Sequence, residues 1–381
     1  MSSMRINTIT FMNASNFGAA LQCIALQKKA AELSGGEVRV ISYLPEYITK
    51  KQDSYREAHK ARERFKKKKS PKLLAAMAGK YVLCFFAQPK LRRRKAAFDA
   101  FLKENITLTR DYTAPEELTA QPPEGDIFLC GSDQIWNPAL TGDRLDPAFF
   151  LSFVPEGKRK AAYAVSLGEL DTEKHSSELK ELTEGFERIS VREMSSQGAL
   201  SAALGREVEC VLDPTLLLGK EDYEALEKPV KTKGDYVLLY TMQNSHQAVS
   251  LAKRIGGKLG VRVIDLSANT LRKFRGTERV TDIGPGEFLS YVKNARWVVT
   301  NSFHGTAFSI IYKKDFYTLP HSTRGGRMTD LLRSLGLEDR LVTEGKTPSS
   351  FDPTDYNDAE KRLQELKDTS LGFLKEALEL R

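Results

Sequence analysis

The chain has 381 residues, 41% apolar and 28% charged, a balance that supports a large buried core and excludes a disordered or collagen-like chain. That length points to two domains, or three, and no run of about 20 apolar residues is present to span a bilayer. The net charge of +8 is unevenly placed: between Lys50 and Lys103 there are 18 Lys and Arg against 4 Asp and Glu, so the rest of the chain is acidic on balance.

Arg5 to Phe11 reads as a strand, followed by the polar turn Asn13 to Gly18. A helix is expected from about Ala19 to Ser34, where Leu21, Ala25, Leu26 and Ala30 recur at helical spacing. Gly35 and Gly36 stop it, and Glu37 to Tyr43 is the next strand. The basic block at about residues 50–105 comes next. Its clusters, Lys66 to Lys69 and Lys90 with Arg92 to Lys95, bracket an apolar stretch from Leu73 to Ala87. Two readings are open for this block. One is a helical insertion whose apolar side joins the core while its charges face water. The other is peripheral contact with an anionic membrane surface through residues 50–103. No helix-turn-helix, zinc-finger or RNA-binding signature accompanies the charge, so nucleic acid is not the expected partner.

Further strands are expected at Asp126 to Cys130, Lys160 to Ser166, Arg188 to Arg192 and Val208 to Leu212. A second alternation begins near Asp235. It runs strand Tyr236 to Thr241, helix His246 to Leu259, strand Val261 to Leu266, helix Gly286 to Asn294 and strand Trp297 to Thr300. Helix Gly305 to Tyr312, strand Phe316 to Leu319 and helix Met328 to Leu335 complete it, and Asp358 to Arg381 reads as an amphipathic helix. Such alternation predicts an α/β protein with parallel sheets covered by helices. Two Rossmann-like domains facing a cleft are expected: residues 1–220 on the acceptor side and 234–350 on the donor side. The helix over 358–381 would pack back on the body. Ligands in such sheets bind beyond the carboxyl ends of the strands.

Three strand-end loops carry chemistry-bearing residues. Asn301, Ser302, His304, Gly305 and Thr306 stand where a strand hands over to a helix, a place that favours anions and sets a histidine where it can exchange protons. In Gly131 to Pro138, Asp133 could orient or deprotonate a sugar hydroxyl and Trp136 could offer a ring face, with Gln134 between them; capping and core-filling are the competing roles. Asn16 and Gly18 point toward the same cleft. Arg192, at the end of a short apolar strand, must be paired or meet an anion; Glu193 and Asp213 are the available structural partners. Arg324 and Arg327 flank Gly325 and Gly326 in a loop that could close on phosphate or carboxylate. No HExxH, DxD or His/Asp cluster suggests a metal site. The cysteines Cys23, Cys84, Cys130 and Cys210 are too scattered for a disulfide framework and fit buried thiols in a reducing cytosol. The opening MSSMRINTITF lacks the layout of a signal peptide, so a soluble cytoplasmic protein is expected.

Taken in order, Ile9 to Phe11 with Asn13 to Gln22, Gly131 to Pro138, Tyr163 to Gly168, Ser190 to Glu193, Val211 to Pro214 and Asn301 to Thr306 resemble the polysaccharide pyruvyl transferase family. The resemblance implies a GT-B-like fold and transfer of the enolpyruvyl unit of phosphoenolpyruvate onto a sugar as a cyclic ketal, in cell-envelope, capsular or exopolysaccharide biosynthesis. Phosphoenolpyruvate would be a co-substrate, with no metal or redox cofactor required. His304 would protonate the methylene carbon, and Arg192 with the helix start at His304 to Thr306 would hold the donor, helped by Arg324 or Arg327. Asp133 would position the acceptor diol. This chain has Ser302 where better-studied members carry an arginine, leaving Arg324, Arg327 or Lys313 to replace that contact. A lipid-linked acceptor would give the basic block a purpose at the inner membrane surface. The competing expectations are a glycosyltransferase using a nucleotide-sugar on the same scaffold, and a non-catalytic glycan- or membrane-binding protein.

Overall fold

The structure is a computed structural model that describes residues 4–12, 16–50, 55–266, 274–320, 326–348 and 350–379. The first half begins β1 (Arg5–Ile9), α1 (Phe17–Ser34), β2 (Glu37–Tyr43), α2 (Glu46–Thr49), α3 (Arg56–Lys68), α4 (Pro71–Asn105), β3 (Leu108–Tyr112) and α5 (Pro115–Ala120). It continues with β4 (Ile127–Asp133), β5 (Arg159–Val165), α6 (Ser176–Leu182), β6 (Phe186–Val191), α7 (Met194–Leu204), β7 (Glu209–Cys210) and α8 (Lys220–Glu224). The second half holds β8 (Tyr236–Tyr240), α9 (His246–Leu259), β9 (Arg262–Asp265), β10 (Glu278–Arg279), α10 (Pro285–Lys293), β11 (Trp297–Thr300) and α11 (Phe303–Ile311). β12 (Asp315–Thr318), α12 (Gly326–Leu335) and α13 (Asn357–Leu378) complete it.

The strands form two all-parallel sheets, one ordered β3-β2-β1-β4-β5-β6-β7 and the other β10-β9-β8-β11-β12. Both follow the doubly wound order in which the chain starts centrally, winds outward to one edge, then crosses back to wind toward the other. The protein is therefore α/β with two Rossmann-like domains, as the alternation of elements predicted. Each sheet has one switch point, between β1 and β4 in the first and between β8 and β11 in the second. β4 is buried along its whole length, which an apolar run allows in a strand covered by helices on both faces.

The two sheets share a core. α1 is capped by Asn16, whose side chain accepts from Gly18 N, and is closed by Gly35 in the left-handed region. Its first residue, Phe17, stacks on Phe98 of α4 at 5.3 Å and on Phe288 of α10 at 4.6 Å, with the Arg94 guanidinium 4.5 Å from its ring. α13 returns to the first sheet, where Leu212 N donates to Ser370 Oγ at 2.9 Å and Phe373 packs near Tyr163.

Several local expectations need correction. The strand expected at Val208 to Leu212 is only the two-residue β7, because Asp213 and Pro214 turn the chain into a short 3-10 turn. The edge strands β3 and β10 were not anticipated; both are short and polar. The basic block is a helical hairpin of α3 and α4, but Leu73 to Ala87 does not join the core as one apolar side. Within it Cys84 is buried while Leu74, Val82, Leu83, Phe85 and Phe86 face solvent. Core packing falls instead to Phe98, Phe101 and Leu102 farther along α4. Among the described residues no helix is long and apolar enough to cross a membrane.

Candidate active site

The carboxyl ends of β4, β6 and β7 meet that of β11 where the two domains touch. On the first sheet, Thr10 and Gln22 brace the end of β4: Gln22 Nε2 donates to Thr10 Oγ1 at 2.9 Å, and Thr10 Oγ1 donates to the Ser132 carbonyl at 2.8 Å. Asp133 follows with φ of 68°, an unfavourable region for a residue with a Cβ, and its Oδ1 accepts from Gln134 N at 2.9 Å. Its side chain keeps 11% of its exposure.

Arg192, just past β6, is a charge hub. Its Nη1 donates to Asp213 Oδ2 at 2.6 Å, Nε to Glu193 Oε1 at 3.4 Å, and Nη2 lies 3.5 Å from Asp133 Oδ1. The guanidinium also sits 4.6 Å from the Phe303 ring centroid across the domain boundary. Burial opposes its charge, but the three carboxylates outweigh that and raise its pKa above the ordinary arginine value. Only 1% of the side chain is exposed. Of the two roles weighed for it, the structural ion pair is the one present.

Asp213 ties both sheets together. Its Oδ1 accepts from Thr215 N at 2.9 Å and Thr215 Oγ1 at 2.6 Å, while Oδ2 accepts from Arg192 and from Ser132 Oγ at 3.2 Å. The same Oδ2 faces His304 Nε2 at 3.7 Å, an ion-pair distance rather than a hydrogen bond. Burial alone would raise the Asp213 carboxyl, but His304, Arg192 and Thr215 hold it far below the ordinary carboxylate range.

The second sheet delivers His304 through a tightly tied turn. Asn301 Oδ1 accepts from Met242 N at 2.7 Å and its Nδ2 donates to the Gln243 carbonyl at 3.0 Å, clamping the ends of β8 and β11. Ser302 caps α11 by accepting from Gly305 N. Thr306 Oγ1 bonds Thr318 Oγ1 at 2.7 Å and the Ser302 carbonyl at 3.1 Å. A Cβ at Gly305 would come within 2.2 Å of Thr300 Oγ1, so this glycine lets the helix start close against β11. These four residues, expected to touch the donor, have their polar groups and close contacts committed to shaping the loop that aims His304.

His304 is 6% exposed. Its ring lies on Gly18 of α1, where a Cβ would sit 2.0 Å from Nδ1. Gly18, expected on the acceptor side, thus clears space for the histidine. Asn16 caps α1 just ahead of it. Trp136 cannot offer a ring face to a sugar: it is fully buried, stacked on Phe150 at 4.5 Å, with Nε1 donating to the Phe149 carbonyl. Gln134 is buried too, its Oε1 accepting from Asn137 Nδ2 at 3.0 Å. Arg327 Nε stands 3.8 Å from Glu193 Oε1, linking α12 to the start of α7. Lys313 pairs with Glu360 of α13, away from this cluster. Arg324 lies outside the described residues.

Three carboxylates (Asp133, Glu193, Asp213) face two guanidinium groups (Arg192, Arg327), with His304 beside Asp213. Among the described residues, Arg192 Nη2, Glu193 Oε2, His304 Nε2 and Ser166 Oγ are buried without a hydrogen-bond partner. Native structures leave few such groups unmet, and their concentration here marks a place built for a polar guest or for movement. Among the described residues no group of three or more His, Cys, Asp and Glu is arranged to hold a metal ion. Asp213 was legible only as a partner for Arg192; an acid at a strand mouth before Pro214-Thr215 is the signal that marks it as the hinge of the cluster.

A family model described as Polysaccharide pyruvyl transferase matches residues 16–323, a span that contains every residue of this cluster except Arg327. The chain belongs to the polysaccharide pyruvyl transferase family. No curated protein matches it. Among solved structures, it is similar to S. aureus MnaA in a co-structure with UDP (11% identity, 98% of this chain and 91% of that one, TM-score 0.47). It is also similar to the UDP-GlcNAc 2-epimerase of Methanocaldococcus jannaschii (11%, 96% and 99%, TM-score 0.44). The heptosyltransferase WaaC of E. coli is a third (9%, 97% and 100%, TM-score 0.39).

Proposed function

We propose that the protein transfers the pyruvyl unit of phosphoenolpyruvate onto two hydroxyls of a sugar in a cell-surface polysaccharide or its precursor, giving a cyclic ketal and free phosphate. The observation that carries this reading, beside the family, is His304 set against the ionised Asp213 where the two sheets meet. Ketal formation needs a proton on the methylene carbon before the adjacent carbon accepts an oxygen, and a carboxylate-backed imidazole is suited to supply it. His304 gives its proton to that carbon while the first sugar oxygen bonds the neighbouring carbon; the hydroxyl proton passes to Asp133. The second sugar oxygen then closes the ring as the carbon–oxygen bond to phosphate breaks, and its proton leaves with phosphate. The proton on Asp133 then returns to His304 through solvent, so both hydroxyl protons and both new bonds are accounted for. Asp213 acts as a positioning residue, fixing the imidazole and balancing its charge.

The test is a thermal-shift titration with phosphoenolpyruvate beside UDP- and GDP-sugars, followed by phosphate release with wild type and His304→Ala. A ligand bound only by the folded state stabilises it by about 2.7 kcal/mol at a hundredfold excess over Kd. Stabilisation by phosphoenolpyruvate, with turnover lost in a folded His304→Ala, supports the reading. Stabilisation by a nucleotide-sugar alone, or full activity of His304→Ala, refutes it.

A further inference from the structure

From the helical hairpin of α3 and α4 we infer a docking surface for anionic lipid, lying outside the catalytic cluster and independent of the proposed reaction. The hairpin has an interior of its own. Tyr81 of α4 packs its ring near Tyr55 and His59 at the start of α3, and Cys84 is fully buried one turn on. The adjoining side of α4 is bare. Phe85 is 65% and Phe86 75% exposed, and Leu74, Val82 and Leu83 are about half exposed. At 3.6 residues per turn, Leu74, Val82, Phe85 and Phe86 fall within about 120° of the circumference. Ala75 and Ala78, also exposed, fill the same arc. Soluble proteins expose large apolar side chains singly; a band of aromatic and aliphatic groups is an interaction surface.

Charge decides what it meets. The hairpin turn carries Lys67, Lys68, Lys69 and Lys72, and beyond the band come Lys90 and Arg92, all exposed. Among the described residues none of these six pairs with a carboxylate, whereas neighbouring Lys66 pairs with Glu63 and Arg93 with Asp282. Because both ends of the band are basic, a second copy laid along it in either direction would set lysine against lysine. Nucleic acid would answer the charge but not Leu74, Val82 and Leu83. An anionic bilayer answers both, with phosphates at the two basic ends and acyl chains under the band. The apolar stretch is too short to span, so α4 would lie in the interface plane.

The experiment is co-sedimentation of the full chain with vesicles of phosphatidylcholine alone or with added phosphatidylglycerol, at low and high salt. Wild type is compared with Phe85→Ser/Phe86→Ser and with Lys67→Gln/Lys68→Gln/Lys69→Gln/Lys72→Gln. All the substituted residues are exposed, so the melting temperature should be unchanged in both variants. Pelleting is expected only with phosphatidylglycerol and should weaken with salt. Each lysine removed should weaken partition about fivefold, and the serine variant should lose binding even at low salt. Absence of pelleting, equal pelleting on phosphatidylcholine alone, or unchanged binding by the serine variant would overturn the inference. So would self-association abolished by Phe85→Ser/Phe86→Ser without lipid binding, which would assign the band to a second copy.

Discussion

Gly18→Ala tests the catalytic geometry with one methyl group. An added Cβ would lie 2.0 Å from His304 Nδ1 and 2.1 Å from Cγ, whereas carbon contacts settle near about 3.5–4.0 Å. The ring must therefore retreat by about 1.5 Å, which is large against the 3.7 Å that now separates His304 from Asp213. Misplacement of a reacting group by about 1 Å costs on the order of 100-fold in rate. Stability should fall by up to about 2.5 kcal/mol. Alanine is better than glycine in a helix by about 0.5–1 kcal/mol, and overpacking costs about 1–3 kcal/mol. Gly198→Ala in α7 is the control: an added Cβ there meets nothing within 4 Å, so it should gain the helix term with activity intact. Phosphate release from phosphoenolpyruvate and thermal melts read both quantities. Wild-type kcat/KM in Gly18→Ala would mean that His304 does not act where this structure places it.

Asp213→Asn should cost about 3–5 kcal/mol at neutral pH, since it leaves the buried Arg192 without its closest carboxylate. The folded carboxyl is depressed, so its stabilisation is full above the ordinary carboxylate range and is lost as pH falls below it. The gap in Tm between wild type and variant should thus shrink in acid, below about pH 4. A gap that stays constant into acid would mean that Asp213 is not an ionised partner. Phe17→Ala removes a ring stacked between α4 and α10 and should cost about 3–5 kcal/mol in chemical denaturation. A loss under about 1 kcal/mol would mean that the two domains do not depend on a common core.

The architecture was legible because strand–helix alternation and apolar runs are local signals. Tyr236 to Thr241 and Trp297 to Thr300 are short apolar runs bounded by turns, and both emerged as central strands. What failed was what depends on partners brought from far along the chain. Arg192 at a strand mouth was read as needing an anion or the partners Glu193 and Asp213, and both pair with it, but the third acid, Asp133, lies 59 residues away in sequence and no local pattern announces it. Trp136 carries the same lesson. An aromatic in a polar loop looks available until Phe149 and Phe150, 13 and 14 residues on, close over it. His304 stood out in the sequence as a single histidine among Asn, Ser, Gly and Thr at a strand-to-helix turn, and the structure sets it 3.7 Å from Asp213. Gly18 lies against the His304 ring, a close approach that no local pattern encodes.

The proposed reaction would bring the donor's negative charge to this cluster, and Arg327 at its rim is the cation to test. Phosphoenolpyruvate brings a carboxylate and a phosphate, and the cluster already holds an excess of acid. Arg192 is enclosed, Lys313 is drawn to Glu360, and Ser302 supplies a cap rather than a charge. Arg327 stands at the rim, its side chain 15% exposed and its Nε 3.8 Å from Glu193 Oε1. Arg327→Ala should therefore raise KM for phosphoenolpyruvate by about 10- to 100-fold, the worth of one charge-assisted hydrogen bond, and change kcat far less. Arg327→Lys should recover part of the loss, since the charge returns without the fork. Steady-state kinetics in phosphoenolpyruvate separate the cases: an unchanged KM in Arg327→Ala would move donor recognition away from α12, and a fall in kcat alone would place Arg327 with the groups that hold Glu193 and Arg192 in position.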